Sequence, residues 1–111
     1  MITRKENIPS MRDENEKGLT LEKLTVAPHK PEKVRLHARA ILEPGGEVGF
    51  HVHEGETESY HILSGVGLYN DNGTETEVHP GDITFTHSGE GHGIKNAGDE
   101  DLHFIALVVL D

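Results

Sequence analysis

Cysteine and tryptophan are both absent from this 111-residue chain, and aromatic residues make up only 5% of it. Without cysteine there is no disulfide, no thiolate metal ligand and no cysteine nucleophile. The hydrophobic fraction of 33% is low for a compact globule. The length fits one domain. A closed barrel with a polar interior tolerates so few apolar residues, and so does a dimer that shares a core.

Positive charge is scarce as well. The chain has 10 lysines and arginines against 20 acidic residues, a formal net charge of −10, and Lys95 is the only lysine or arginine after Arg39. This balance predicts no nucleic-acid partner and no contact with an anionic membrane. The first ten residues lack the apolar core of a signal peptide, and no apolar run approaches membrane-spanning length. We therefore expect a cytoplasmic protein.

From residue 34 onward, short alternating strands replace any helical periodicity. Turn signals separate them, and the strongest is Asn70-Asp71-Asn72-Gly73, a typical hairpin turn. A second turn is predicted at residues 43–46, with the sequence Glu-Pro-Gly-Gly. The last predicted strand, 102–110, is long and apolar. Regularly spaced strands of this kind predict an all-β sandwich or barrel.

The first 33 residues differ from the rest, because they are polar and interrupted by three prolines. Leu19, Leu21 and Leu24 could form one short strand with alternating faces. Three alternatives remain open: a solvated arm, an arm that docks on its own barrel, and an arm that crosses to a partner. We therefore divide the chain into an N-terminal arm, 1–33, and a barrel, 34–111.

The stretch from Gly45 to Gly65 carries the clearest chemical signal. His51 and His53 are two residues apart, so in a strand they project from the same face. Glu58 follows a glycine-containing turn, and a hairpin there would bring its carboxylate back beside the two imidazoles. These are ligands that a borderline divalent metal accepts. Two further acidic residues, Glu54 and Glu56, are expected in the solvated turn.

A second cluster, from Gly81 to Asn96, supplies a third histidine, His92. Together the two stretches resemble the paired motifs of the cupin superfamily, G-x5-HxH-x4-E-x6-G and G-x5-P-x-G-x2-H-x3-N. The resemblance implies a small antiparallel β-barrel, the jelly roll or double-stranded β-helix. It also implies one metal ion held by four residues: His51, His53, Glu58 and His92. The sequence departs from the second motif at His87, which stands where the family usually has proline.

Three neutral imidazoles and one carboxylate around a divalent ion leave a charge of about +1. In an octahedral sphere they also leave two open positions, and Fe, Mn, Ni and Zn all remain possible. Such a site can polarise a substrate oxygen or activate water. The first hypothesis is a metal-dependent enzyme, a dioxygenase, isomerase, decarboxylase or lyase, acting on a small polar oxygen-bearing substrate. The second is a non-catalytic barrel that binds a metabolite or sugar and uses the metal as a docking point.

Two further residues are candidates for the site. His87 lies five residues before His92 in a glycine-rich loop, so it could act as an acid–base group or support a ligand; the alternative is an exposed loop position. Tyr60 has the same strand parity as Glu58 and carries a hydroxyl group. It could line the pocket and contact substrate, or it could belong to the barrel core.

The final strand also suggests an oligomer. Both faces of residues 105–110 are apolar, which is typical of a strand buried on both sides. A small chain with little core of its own gains from a shared interface, and cupins commonly pair through such sheets. We therefore predict a homodimer in which the arm takes part. The alternative is a monomer whose arm covers its own barrel.

Overall fold

The computed structural model describes residues 1–111 and consists almost entirely of strands. After a short 3-10 turn at Lys5–Asn7, the strands are β1 (Ser10–Arg12), β2 (Lys17–Lys23), β3 (Val34–Val52), β4 (Glu56–Ser64), β5 (Gly67–Asp71), β6 (Thr74–Val78), β7 (Ile83–Thr86), β8 (Gly91–Asn96) and β9 (Leu102–Leu110). Every strand pair is antiparallel, and together they form one curled sheet of the jelly-roll type. The predicted all-β antiparallel fold is confirmed. No helix in the chain is long and apolar enough to span a membrane.

The sheet order is β6-β5-β8-β3-β9-β4-β7. Outside this order, β2 also pairs with β3, and β1 pairs with β2. The predicted hairpin turn joins β5 to β6: Asn72 and Gly73 both have positive φ, 52° and 105°, as a two-residue type I′ turn requires. The pairing of β3 with β8, which places His51 opposite His92, brings the second histidine cluster beside the first. It joins segments that are distant in sequence.

The predicted turn at residues 43–46 is wrong, because the chain continues there as one 19-residue strand, β3. Before this point β3 pairs with β9, and after it with β8. Instead of a turn, the strand bends and changes partner. A Cβ on Gly46 would lie 2.8 Å from the carbonyl oxygens of Glu43 and Lys17. The glycine is therefore required by the close approach of β2, which explains why a turn-like sequence occurs inside a strand.

Alternation along the strands separates a buried face from an exposed one. On β9 the buried residues are Leu102, Phe104, Ala106 and Val108, and the residues between them are partly exposed. Only one face of this strand is therefore covered within a single chain. The predicted homodimer, which would cover the other face, stays a prediction.

The N-terminal segment lies against the barrel. β2 pairs with β3, so that Leu19 is opposite Leu42 and Leu21 is opposite Ala40. Leu19 is 5% exposed and belongs to the core, and Leu21 packs against that core. Within one chain these two leucines cover their own barrel, as in the docked-arm alternative. The division of the chain at residue 33 stays a prediction.

Candidate metal centre

Four side chains from three strands converge on one point inside the barrel. His51 lies near the end of β3 and His53 follows that strand directly, while Glu58 is on β4 and His92 is on β8. One ligand atom from each lies within 4.8 Å of the others. The Nε2 atom of His53 is 3.1 Å from that of His51, 3.0 Å from that of His92 and 2.9 Å from Oε1 of Glu58. The structure thus brings together all four residues that the sequence suggested as ligands.

The three imidazoles share one arrangement, in which Nδ1 bonds a group outside the centre and Nε2 faces inward. The outer partners are the Gly49 carbonyl for His51 at 2.7 Å, the Glu56 carboxylate for His53 at 2.9 Å, and the Tyr69 hydroxyl for His92 at 2.8 Å. A carbonyl or carboxylate oxygen only accepts, so in His51 and His53 Nδ1 carries the proton and Nε2 keeps its lone pair, and the Tyr69 hydroxyl can accept the Nδ1 proton of His92 in the same way. This is the tautomer that a metal-ligating histidine needs.

These inward lone pairs provide a test of fit for a metal ion. Four of the contacts among the imidazole nitrogens and the carboxylate oxygen are 2.9–3.1 Å, and Nε2 of His51 is 3.9 Å from Oε1 of Glu58. Donor atoms this close could all bind one ion at metal–ligand distances of about 2.1 Å. The donor set therefore fits Fe, Mn, Ni or Zn.

The electrostatics of the four-residue cluster also favour a bound cation. Burial alone would raise the pKa of Glu58, but the surrounding imidazoles, His51 and His92 foremost, outweigh it and lower that pKa to about 2. The carboxylate is therefore ionised at any physiological pH. The Glu58 carboxylate, 3.9 Å from Nε2 of His51, in turn raises the pKa of that imidazole against the effect of burial, and the nearby carboxylate of Glu16 contributes. The centre thus attracts positive charge.

Glu56 supports the centre from outside, although the sequence analysis placed it in a solvated turn. It begins strand β4, and its carboxylate bridges Nδ1 of His53 and the guanidinium group of Arg35, whose Nη2 donates to it at 2.8 Å. The hydrogen bond from Arg35 is the main reason that the pKa of Glu56 is lowered, so Glu56 remains a charged acceptor for His53. The sequence did contain a signal for this inward position, because Glu56 lies two residues before Glu58 on one strand and therefore faces the same side.

Tyr69 is a second supporting residue, one that the sequence pattern did not indicate. It is 3% exposed, and its hydroxyl lies 2.8 Å from Nδ1 of His92 and 3.0 Å from Oγ1 of Thr86, so it can accept from the imidazole and donate to the threonine. Burial raises its pKa, so the phenol stays neutral. Alternation along β5 predicts an inward Tyr69, but its contact with His92 depends on the pairing of β5 with β8, which local pattern does not reveal.

A cavity of about 280 Å³ opens onto the metal centre. Three of the four proposed ligands, His51, His53 and Glu58, line it. Its apolar wall includes Leu19, Leu21, Leu36, Ala40 and Val48, and its charged residues beyond the centre are Asp13, Glu16, Arg35 and Glu56. A small ligand can therefore reach the metal position between an apolar wall and a charged one.

Tyr60 lines this cavity and also belongs to the core. Its ring stacks on His92 with centroids 4.9 Å apart and contacts Phe104 at 4.5 Å. Both alternatives raised by the sequence thus describe its position. Burial, followed by the charge of Glu58, raises the pKa of Tyr60 well above its ordinary value, so its hydroxyl is a neutral donor. A contact with substrate stays a prediction.

His87 lies on the surface. It is exposed, its ring packs edge-on against Phe85 at 4.7 Å, and its backbone N–H donates to the Glu90 carboxylate. It does not line the cavity. The acid–base role suggested for His87 stays a prediction, and its position matches the exposed-loop alternative.

Comparison with known proteins adds family information. A family model described as "Cupin domain" matches residues 38–109. An oxalate-binding protein of Thermotoga maritima is 51% identical over 78 residues, which cover 70% of this chain but only 64% of that protein. A T. maritima crystal structure described as a predicted oxalate decarboxylase aligns over 100% of both chains, with 41% identity and a TM-score of 0.91. The polyketide cyclase RemF of Streptomyces resistomycificus, at 22% identity, covers 99% of this chain and 80% of its own with a TM-score of 0.80, which shows similarity of fold alone.

Proposed function

This chain belongs to the cupin family, and from that premise we propose that it binds one divalent metal ion and, on it, a small chelating carboxylic acid. The observation that carries the proposal is the set of four inward-facing donor atoms at the end of an open cavity. The proposed metal ligands are His51, His53, Glu58 and His92. A metal bound there supplies a Lewis acid that polarises a ligand oxygen.

The chain's own residues support a small ligand. The cavity of about 280 Å³ is close to the lower end of the size range of small-molecule sites, about 300 Å³. Four protein ligands would leave open positions on the metal, where a chelating acid would supply two oxygens. Its carbon atoms would then face apolar side chains such as Leu36 and Val48. The name of the T. maritima relative, oxalate-binding protein, suggests a ligand of this class.

A second candidate is a metal-dependent enzyme that acts on such an acid. It is favoured by the similarity over the full chain to a structure described as a predicted oxalate decarboxylase. In this candidate Tyr60 contributes a neutral hydroxyl beside His92, while the apolar wall limits access of water. Binding and catalysis share the same metal centre, so one preparation tests both.

The metal is tested first. Protein purified without chelator or nickel resin should contain close to one divalent ion per chain by elemental analysis, which also identifies the metal. His53→Ala should lose most of it, because His53 contacts each of the other three donor groups. His61→Ala is the matched control, since His61 is an exposed histidine on β4 and should keep full metal content. Full metal content in His53→Ala would refute the ligand assignment.

The ligand is tested on the metal-loaded protein. Calorimetric titration with oxalate, glycolate and a panel of neutral sugars should give binding of the acids alone, lost in His53→Ala. Incubation with the bound acid, followed by measurement of CO₂, formate and O₂ uptake, separates the two candidates. Turnover supports the enzyme, and tight binding without turnover supports the binding protein. Binding of sugars in preference to acids would refute the proposed ligand class.

A further inference from the structure

The metal cavity is bordered on one side by the turn between β1 and β2, in the N-terminal segment. Asp13 and Glu16 of this turn are partly buried and line the cavity, whereas Glu14 and Asn15 between them are exposed. The side chain of Asp13 accepts the backbone N–H of Asn15 at 2.8 Å, and its own N–H donates to the Leu19 carbonyl. The turn is therefore held in a defined shape against the core strand that follows it.

Glu16 connects this turn to the metal centre. Its Oε2 accepts the backbone N–H of Gly49 at 2.7 Å, and the carbonyl of that same Gly49 accepts the Nδ1 proton of His51 at 2.7 Å. One residue therefore separates the Glu16 carboxylate from a proposed metal ligand. The salt bridges of lysine and arginine involve other carboxylates: Glu22, Glu43 and Glu56. The charge of Glu16 is left unneutralised beside the cavity.

The charges that line the cavity can be counted. A divalent ion with the Glu58 carboxylate carries about +1. Arg35 and Glu56 form an ion pair and cancel each other. Asp13 and Glu16 then bring the lining to about −1. Direct bonds to the metal attract any anionic ligand, but the two carboxylates of the turn oppose each of its negative charges, so a ligand with two charges is opposed about twice as strongly as a ligand with one.

We propose that Glu16 sets the charge of the ligand, favouring an α-hydroxy acid with one negative charge over a dicarboxylate with two. The Glu16 carboxylate has remaining acceptor positions for a neutral hydroxyl group and repels a second carboxylate. This inference rests on the proposed function and narrows its ligand class. Glu16 also lies outside residues 38–109, the part of the chain that the family model matches.

Two matched ligands and two matched variants test the proposal. Glycolate and oxalate both chelate a metal through two oxygens but differ by one negative charge. Glu16→Gln removes the charge and keeps an oxygen that accepts the Gly49 N–H. Glu14→Gln removes the same charge from the exposed side of the same turn. In calorimetric titrations of the metal-loaded proteins, Glu16→Gln should raise the affinity for oxalate relative to glycolate by roughly three- to tenfold. Glu14→Gln should stay within about twofold of the wild type.

An unchanged oxalate-to-glycolate ratio in Glu16→Gln, with wild-type thermal stability, would overturn the inference. Metal affinity gives a readout that needs no ligand. Because the Glu16 charge attracts the cation, Glu16→Gln should bind the metal several-fold more weakly than Glu14→Gln. If the wild type binds neither acid, the proposed ligand class fails, and the charge preference assigned to Glu16 fails with it. Weaker metal binding by Glu16→Gln than by Glu14→Gln would then show only that the Glu16 charge acts on the metal.

Discussion

Replacing Tyr69 with phenylalanine tests whether the supporting hydrogen bonds tune the metal centre. The Tyr69 hydroxyl accepts from Nδ1 of His92, which is 0% exposed, and donates to Oγ1 of Thr86, which is 2% exposed. Phenylalanine keeps the ring and removes only this oxygen. Two buried polar groups then lose a partner, and water cannot reach either without a structural change.

The magnitude follows from these contacts. A buried polar group left without a partner costs about 1–3 kcal/mol, so two of them predict a loss of roughly 2–6 kcal/mol in the free energy of unfolding. Loss of the group that orients a metal-ligating histidine typically lowers metal affinity by about 10- to 100-fold. Stability should be measured by urea denaturation of the metal-free protein, and affinity by competition with a chelator.

Tyr60→Phe is the matched control. Tyr60 is also 3% exposed and its ring stacks on the same His92, but its hydroxyl has no hydrogen-bond partner within the protein. This variant should bind the metal within about twofold of the wild type. If Tyr69→Phe and Tyr60→Phe had the same metal affinity and stability, the outer hydrogen bond would have no part in holding His92, and the reasoning would be wrong.

Three further outcomes are expected. Metal affinity should fall as the pH is lowered from about 7.5 to about 5, because imidazoles with a reference pKa of about 6.5 take up competing protons. Glu58, with its pKa lowered to about 2, stays ionised throughout. A pH-independent affinity would contradict a three-histidine centre. Thr84→Val should leave urea stability unchanged or raise it by up to about 1 kcal/mol, because the buried Thr84 hydroxyl has no partner, whereas Thr86→Val should lower it. The protein should be a homodimer by light scattering. We expect the interface to include Ile83 and Phe85 on β7, which are 70% and 51% exposed. Ile83→Ser should weaken the dimer, and a monomeric wild type at micromolar concentration would disprove the prediction.

The sequence was most informative where local spacing determines which way a side chain points. A spacing of two residues places His51 and His53 on one face, and the turn before Glu58 returns a carboxylate to them, so three of the four candidate ligands were predictable from local spacing. The set with His92 followed from the resemblance to the cupin motifs. The supporting groups were less so. Tyr69 reaches His92 through a strand pairing that joins distant segments, and such pairings leave no local periodic signal.

The N-terminal segment shows the same limit. Its leucines predicted a strand, but the contact of Glu16 with Gly49 depends on how β2 docks on β3. The turn predicted at residues 43–46 failed for a related reason. Proline and glycine usually end a strand. Here they lie where β3 bends and where β2 approaches its backbone closely, and the position of β2 cannot be read from the local sequence.

Strand β3 has a consequence for how the molecule opens. Its first half is paired with β9 and its second half with β8, so neither half of the sheet can separate without leaving β3 partly unpaired. The two halves should therefore unfold as one cooperative unit. Amide hydrogens near Val34 would then exchange with solvent only by global unfolding, as would those near His51. Occupation of the metal centre by the ion alone should slow exchange near Val34 as well, even though none of the four proposed metal ligands lies at that end of β3.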